Sequence, residues 1–545
     1  METNKNNNMA TNKFDSTSFF PHHPIYTNRM AQKIGQNEMI RKIILDIEEI
    51  DFMEDYYSYY EKNLSLIIGK RKELLSETQE EKLMKILEKL DEYMPDEKSK
   101  FSIITETVQK VAEKLNSGLG YNNSFHYLYN GCYWETIHAD ELKEILVVIA
   151  ERCNFHHHKI RTPEKVESLY NQFVFSAKIP NPEHDKDTIK INLNNGTFTI
   201  KGKEQSLEPF NSEDMFKYQL SFDYDPNAEA PMFMKFLNEV LPEKESQMIL
   251  AEYLGYVLTR NLKMEKCLVL VGGGANGKSV IFDIVTALLG KENISSSTLS
   301  QLCNENGYYR VNLTNKLLNY SSELGGKGCS PDTVKQLISN EPIMARSPYK
   351  DAFELCDYAK MMFNVNKFPK DGEQTHAYFR RFIFLDFDVT IPEEKQDKNL
   401  AKKIIAKELS GIFNWVLEGL NRILETEKFI ESPKSDAKKE KIKREMDTVA
   451  EFMEERGYRP SKTEHKTLQE LYKDYEIFCQ EESGHRHKAT RQEFSNRLEN
   501  NMGYYIKRKA TNNQTWVYCE DGSEELQRDV HDLVETMFGG KENNQ

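Results

Sequence analysis

Apolar and polar positions along this chain follow two periods, and the switch between them divides it. From residue 37 to 116 the period is helical. Ile40, Ile43, Ile44, Ile47 and Ile50 share one face, and Leu83, Ile86, Leu87 and Leu90 repeat the spacing. Residues 117–260 mix both periods. Tyr127 to Trp134 predicts a hairpin turning at Asn130-Gly131, and a helix is expected over roughly 139–152. Ile189–Leu193 and Thr197–Ile200 bracket Asn194-Asn195-Gly196 as a second hairpin, with helices following over roughly 230–240 and 244–260. Residues 261–390 then alternate apolar strand runs with helical stretches, the pattern of a parallel sheet covered by helices. A helix-rich stretch covers 397–425.

These switches set the expected domains: a disordered tail (1–35), a helical N-terminal region (37–116), an accessory α+β domain (117–260) and an ATPase domain (261–426). A linker (427–446), a small winged-helix-like domain (447–520) and a C-terminal tail (521–545) complete the division. The 545 residues suit about three domains. The longest apolar stretch, Ile145 to Ala150, is far too short to cross a bilayer, and no signal-peptide pattern opens the chain. Eight cysteines are scattered with no Cys-x-x-Cys, which argues against a zinc ribbon or a disulfide scaffold and fits a reducing cytoplasm. Cys153 and His156-His157-His158 raise the question of a metal. Three consecutive histidines cannot share a helix face, so a solvated cluster is expected. A net charge of −14 counts against one broad basic face for DNA, but not against a narrow channel or a small basic domain.

The chemistry begins at Gly272-Gly273-Gly274-Ala275-Asn276-Gly277-Lys278-Ser279. This is the G-x-x-x-x-G-K-S pattern between an apolar strand run, Cys267–Val271, and a helical run from Val280. Glycines let backbone N–H groups approach phosphate oxygens, and a helix start favours negative charge. Lys278 suits the β- and γ-phosphates of ATP, and Ser279 suits Mg²⁺. Downstream, Leu317 to Glu323 reads as a strand ending in a carboxylate fit to orient water or the Mg²⁺ shell. Lys360 to Asn366 ends in an amide fit to sense the γ-phosphate, and Arg380-Arg381 precede a strand from Phe382. Each alone has an ordinary reading: a surface acid, a turn residue, a charged strand edge. Their order joins them.

This order resembles the superfamily 3 helicases of the phage and plasmid replication type, shared with poxvirus helicase-primases. The likeness rests on Gly272–Ser279, Asn319–Leu324, Val334–Arg346, and Asn366-Lys367-Phe368-Pro369 with Arg380-Arg381. Upstream, Tyr129–Glu135 and Asn194–Gly196 add to it, as does Glu408–Trp415 downstream; it covers roughly 120–520. The resemblance implies an α/β fold with a P-loop, AAA+-like core on a parallel sheet. It also implies a ring, usually a hexamer, with ATP sites between subunits: Glu323 as base, Asn366 as sensor, and Arg380 or Arg381 as a finger from the neighbour. A hairpin near 340–356 would bring Lys350 and Arg346 to single-stranded DNA. One departure is Ser322, where many such enzymes carry a second acid, leaving Ser279 and Glu323 as the Mg²⁺ candidates.

The C-terminal order is helix Leu468–Glu481, helix Arg491–Asn500, then Tyr504 to Lys509 and Trp516 to Tyr518. It resembles a winged helix, with Arg491, Arg497, Lys507, Arg508 and Lys509 facing forked DNA. Residues 1–116 lack the carboxylate pair and zinc site of a primase, so the expected reading is a helicase of a mobile element with any primase or initiator encoded separately. Asp386-Phe387-Asp388 has carboxylate-pair spacing, but a sheet-edge role is expected there. An ATP-regulated initiator or loader that does not unwind shares these features. A small-molecule kinase shares the phosphate loop.

Overall fold

The computed structural model describes residues 38–52, 96–122, 124–180, 187–260, 262–324, 329–348, 350–368, 376–481, 488–500, 502–508 and 514–521. The expected tails apart from Asp521, the Leu83–Leu90 helical repeat, Pro369, Arg486, Lys509 and Asn512-Asn513 lie outside them. The chain forms two compact units. The first takes residues up to 183 together with 209–218, and the second takes 184–208 and everything from 219 onward. The segment 117–260, expected as one accessory domain, is therefore shared between both units.

In the first unit, helices α1 (Glu38–Asp46), α2 (Glu97–Lys114), α3 (Ala139–Arg152) and α4 (Pro163–Ser176) accompany an antiparallel sheet. Its strands are β1 (Gly118–Asn122), β2 (Phe125–Tyr129) and β3 (Trp134–Ile137). The isoleucine stripe does what its period requires: Ile40, Ile43, Ile44 and Ile47 join one buried core with Leu142, Ile145 and Ile149 of α3. The β2–β3 connection takes four residues, because Asn130 turns the chain with its side chain, accepting from the N–H groups of Cys132 and Tyr133 at 3.0 Å each. His157 Nδ1 lies 2.8 Å from Glu151 Oε1, and the described residues contain no cluster able to hold a metal ion.

The second unit opens with a meander of β4 (Thr188–Leu193), β5 (Gly196–Lys201) and β6 (Glu204–Glu208). Asn194-Asn195 form its first turn, and Gly196 pairs with Leu193. Helices α5 (Pro231–Val240) and α6 (Lys244–Val257) lead to a five-stranded sheet. Its strands are β7 (Cys267–Val271), β8 (Ile294–Ser295), β9 (Leu318–Ser321), β12 (Lys360–Val365) and β13 (Phe382–Asp386). Their spatial order is β13-β7-β12-β9-β8, every neighbour parallel. β7 and β12 are buried along their whole length, which is why β7 reads as an unbroken apolar run and β12 departs from one only at Lys360 and Asn364.

Helix α7 (Lys278–Leu289) follows β7, and α8 (Pro331–Ile338) precedes an antiparallel hairpin of β10 (Ile343–Arg346) and β11 (Ala352–Leu355). Helix α9 (Leu400–Thr426) lies against α6. Glycines set their spacing: a Cβ at Gly419 would come 2.4 Å from the Ala251 carbonyl carbon. Buried Glu408 of α9 accepts from the N–H groups of Met232 and Phe233 at 3.0 and 2.9 Å, satisfying the start of α5 from a distant helix. The stretch expected as a linker helix forms α10 (Pro433–Glu445), but it packs on the sheet: Ile442 and Met446 enter its core.

Helices α11 (Thr448–Glu455), α12 (Leu468–Glu481) and α13 (Arg491–Asn500) surround an aromatic core of Phe452, Tyr475, Phe478 and Phe494. With them are a pair of strands, β14 (Tyr458–Pro460) and β18 (Cys519–Asp521). A three-stranded sheet runs in the order β15 (Lys466–Thr467), β17 (Thr515–Val517), β16 (Ile506–Arg508). No helix among the described residues is long and apolar enough to cross a membrane.

One buried cation runs against the apolar rule. Lys360, at the start of β12, is 7% exposed with its ammonium 4.7 Å from the Tyr256 ring centroid. Burial pushes its ionisation down to about 8, with Asp357 opposing. The folded state then holds fewer protons than the unfolded one between about 8 and the ordinary lysine value near ~10.4, so this residue's contribution to stability rises with pH across that window. Lys360→Met is expected to raise stability at pH 7 by on the order of 2 kcal/mol and to flatten that rise. Thermal midpoints measured from pH 7 to 10.5 check both.

Candidate functional site

Strand β7 ends at Val271, and the glycine-rich loop 272–277 carries the chain into α7. The loop is pinned to both neighbouring strands. Gly272 N–H donates to Val365 O of β12 at 3.1 Å, and Phe387 N–H, just past β13, donates to Val271 O at 2.7 Å. Asn276 folds inward and donates to Phe387 O at 2.8 Å. Its Oδ1 accepts from Lys278 Nζ at 3.0 Å, and Lys278 also donates to Gly272 O at 2.7 Å. No side chain fits at Gly272, since a Cβ there would lie 2.0 Å from Asn276 Nδ2 and 3.0 Å from Lys278 Nζ. Gly274, Ala275 and Gly277 take positive φ, at 114°, 50° and 84°. Gly273 faces open space.

The charge balance suits an anion. Lys278 is 8% exposed and its hydrogen-bond partners are neutral oxygens. Burial lowers its ionisation, with Asp386 pulling the other way. Helix α7 starts without a side-chain cap, so its first N–H groups and its dipole point at the loop. Ser279 is exposed on that first turn.

Parallel strands put their C-terminal ends on one edge, and three sequence candidates gather there. Val365 pairs with Val271, so Asn366 stands one residue past β12 beside the loop, exposed. Phe363 pairs with Ser321, and Glu323 stands two residues past β9, also exposed. Ser321 Oγ donates to Glu323 O at 3.0 Å and shapes that turn. Beneath them, Tyr320 OH donates to Asn364 Oδ1 at 2.9 Å and its ring lies 4.7 Å from Phe282 of α7. Buried Asn319 accepts from Ser297 N–H and returns a bond to Ser297 O, tying the segment after β8 to β9.

Arg380 and Arg381 do not join this group. They precede β13, whose Phe382 pairs with Cys267 at the start of β7, so they occupy the opposite edge. The five residues of β13 span about 17 Å at ~3.3 Å per residue. The two arginines also differ. Arg381 has only 10% of its side chain exposed and donates to Ser339 Oγ at 3.0 Å and Ala377 O at 2.6 Å. Arg380 is 54% exposed, with Glu265 3.7 Å away. Lys266 Nζ donates to Arg380 O. Burial lowers the ionisation of Lys266, reinforced by the positive charges of Lys439 and Arg380. Lys266 escaped the sequence reading. Its signal is a lone cation directly before an apolar strand run.

Arg346 ends β10 and donates through Nε to Lys350 O at 3.0 Å across the hairpin turn; both side chains are exposed. The hairpin is anchored by Arg310, also missed from sequence. Its buried guanidinium donates to Leu302 O, Asn304 O and Met344 O at 2.8, 3.0 and 2.9 Å. In the C-terminal part, Arg491, Lys507 and Arg508 are exposed. Arg497, by contrast, is held 3.2 Å from Asp447, with both side chains 16% exposed. Lys509 lies outside the described residues. Asp386 and Asp388 are ion-paired with Lys438 and Lys434 of α10 at 2.9 Å each.

Comparison with known proteins bears on the chain in three segments. Residues 77–242 match the family described as D5 N terminal like, and residues 444–527 match the poxvirus D5 protein-like family. D5-type segments flank the parallel sheet. Between them, residues 270–381 match a family of unknown function, DUF5906, and that match holds the loop, Glu323, Asn366 and both arginines. A putative primase, C962R, of African swine fever virus (isolate Tick/Malawi/Lil 20-1/1983) is 25% identical over 142 residues. That stretch covers 25% of this chain and 14% of the viral protein, so the chain matches only a small part of that relative's length. Solved structures of the NrS-1 C-terminal region are similar over much of this chain. One covers 75% of it and 98% of its own length at 12% identity and a TM-score of 0.43; another covers 76% and 98% at 13% and 0.42.

The two arginines should separate in a stability measurement. Arg381→Ala is expected to cost about 2 kcal/mol by stranding the Ser339 and Ala377 acceptors, while Arg380→Ala stays within ~0.5 kcal/mol of the parent. Denaturant midpoints of the two variants check this.

Proposed function

We propose that this chain is an ATP-driven DNA helicase that works as a ring in the replication of a virus, phage, plasmid or related element. The observation that carries the proposal is the loop after β7: a buried lysine with neutral hydrogen-bond partners, at an uncapped helix start, on the strand edge that also bears Asn366 and Glu323. The D5-type segments support a replication role.

In this reading the backbone of Gly272–Gly277 cradles the phosphates and Lys278 leaves Gly272 O and Asn276 to meet them. Ser279 and Glu323 would hold Mg²⁺, which when bound supplies positive charge to the phosphate oxygens. Glu323 orients and deprotonates the attacking water, and Asn366 donates to the γ-phosphate. Arg380 lies too far along β13 to reach its own loop, so it serves the loop of a neighbouring copy. Lys266 and Lys439 add to that cationic edge, which a triphosphate from the neighbour would neutralise. Arg381 holds the edge together rather than reacting. Arg346 and Lys350 on the hairpin contact DNA phosphates in the central opening, and Arg491, Lys507 and Arg508 contact the fork.

Lys278→Ala is expected to abolish ATP hydrolysis and displacement of a strand from a forked duplex, assayed together. ATP turnover by the parent with no displaced strand on any fork would favour a loader. Phosphoryl transfer to a metabolite, without stimulation by DNA, would favour a kinase. Normal unwinding by Lys278→Ala would remove the site assignment.

A further inference from the structure

The three-stranded sheet β15-β17-β16 has one ordinary face and one unusual one. Ile506 of β16 pairs with Val517 of β17, and Val517 is fully buried, so this face packs inward. Lys466, the partner of Val517 on β15, also turns inward, its ammonium 3.0 Å from Tyr458 OH and 4.6 Å from that ring's centroid. Side chains alternate along a strand, so the neighbours of these residues share the opposite face. That outward face carries Tyr505 and Lys507 from the β16 side, Trp516 and Tyr518 from the β17 side, and His465 and Thr467 from the β15 side.

The register sets them in two rows. Lys507, Trp516 and Thr467 are cross-strand partners. Tyr518 N–H donates to Tyr505 O at 2.9 Å, which continues the pairing by one residue and lines up Tyr505 and Tyr518. The rings run together across the sheet: Tyr505 to Tyr518 at 5.2 Å, Tyr518 to His465 at 5.3 Å, His465 to Trp516 at 4.6 Å between centroids. Tyr505 is 62% exposed, and His465 is exposed.

A solvent face on a small antiparallel sheet is normally polar. Four linked aromatic rings there, with exposed cations beside them, call for a planar, anionic occupant. Lys507 supplies positive charge on this face, with Lys462 and Arg508 exposed nearby, against the exposed acids Glu464 and Glu520. Unpaired nucleobases on a phosphate backbone meet that description, because every base has a π-face and every linkage a negative charge.

We propose that this sheet face binds single-stranded DNA by stacking its bases on the Tyr505–Tyr518–His465–Trp516 row, with Lys507 on the phosphates. The proposal deepens the DNA-handling part of the reading above, yet rests on the C-terminal sheet alone. It gives the small domain a hold on a strand already separated, in addition to any contact with duplex.

The test uses the full chain without nucleotide and fluorescence anisotropy of a labelled oligothymidylate. A strand of the same length carrying abasic sites keeps the phosphates and removes the bases. The oligothymidylate should bind more tightly than the abasic strand. Tyr505→Ala should weaken oligothymidylate binding by roughly tenfold, Tyr505→Phe should preserve it, and the abasic strand should not distinguish the variants. Repeating the series in an Arg346→Ala/Lys350→Ala background removes the hairpin's contribution. Equal binding of the two strands, or an unchanged affinity for Tyr505→Ala in that background, would overturn the proposal. Loss of ATP turnover would sink the helicase reading and leave this readout untouched.

Discussion

The end of strand β7 is where the rest of this protein converges. Its last carbonyl accepts from Phe387 N–H, the next N–H donates to Val365 O, and the Gly272 carbonyl accepts from Lys278. Three strands are thus tied at one point, and the tie leaves no room for a side chain at Gly272. The parallel sheet makes this possible, because it brings the ends of β7, β12 and β9 to a common edge while apolar runs fill the layers behind. A buried lysine at such a point lowers its own ionisation unless an anion arrives. The site is therefore built around a charge that its own hydrogen-bond partners do not balance.

Much of this was legible from spacing. The strand–loop–helix order at Cys267–Leu289 follows from an apolar run meeting glycines and then a helical period. The strand ends that carry Asn366 and Glu323 lie where largely apolar, buried strands give way to exposed polar residues. The turns were harder. Asn130-Gly131 is a two-residue hairpin signal in sequence, yet the Asn130 side chain captures two backbone N–H groups and the loop takes four residues. The stretch 427–446 reads as a linker because its surface is charged. Ile442 and Met446 are too few to announce a buried face, but they enter the sheet's core.

Long-range pairing was beyond the sequence. Nothing in Arg380-Arg381 says which one is captured, because Ser339 lies 42 residues earlier at the end of α8 and only folding brings it near. Arg497 looked like part of a basic helix face until Asp447, 50 residues earlier, was found beside it. The aromatic row on the C-terminal sheet is also a property of register. His465 lies far from Tyr505 and Tyr518 in the chain and reaches them across strands.

The two edges of the sheet then divide the labour in the proposed ring. One edge holds the triphosphate, and the other offers Arg380, with Lys266 and Lys439 behind it, to the next copy. The most direct measurement of that division mixes two variants, Lys278→Ala and Arg380→Ala, and follows ATP turnover. A shared site predicts that each variant alone is inactive and that the mixture recovers part of the parental rate, because some interfaces pair an intact loop with an intact arginine. Full turnover by Arg380→Ala alone, or parental turnover per molecule that does not change as the protein is diluted to single copies, would contradict it.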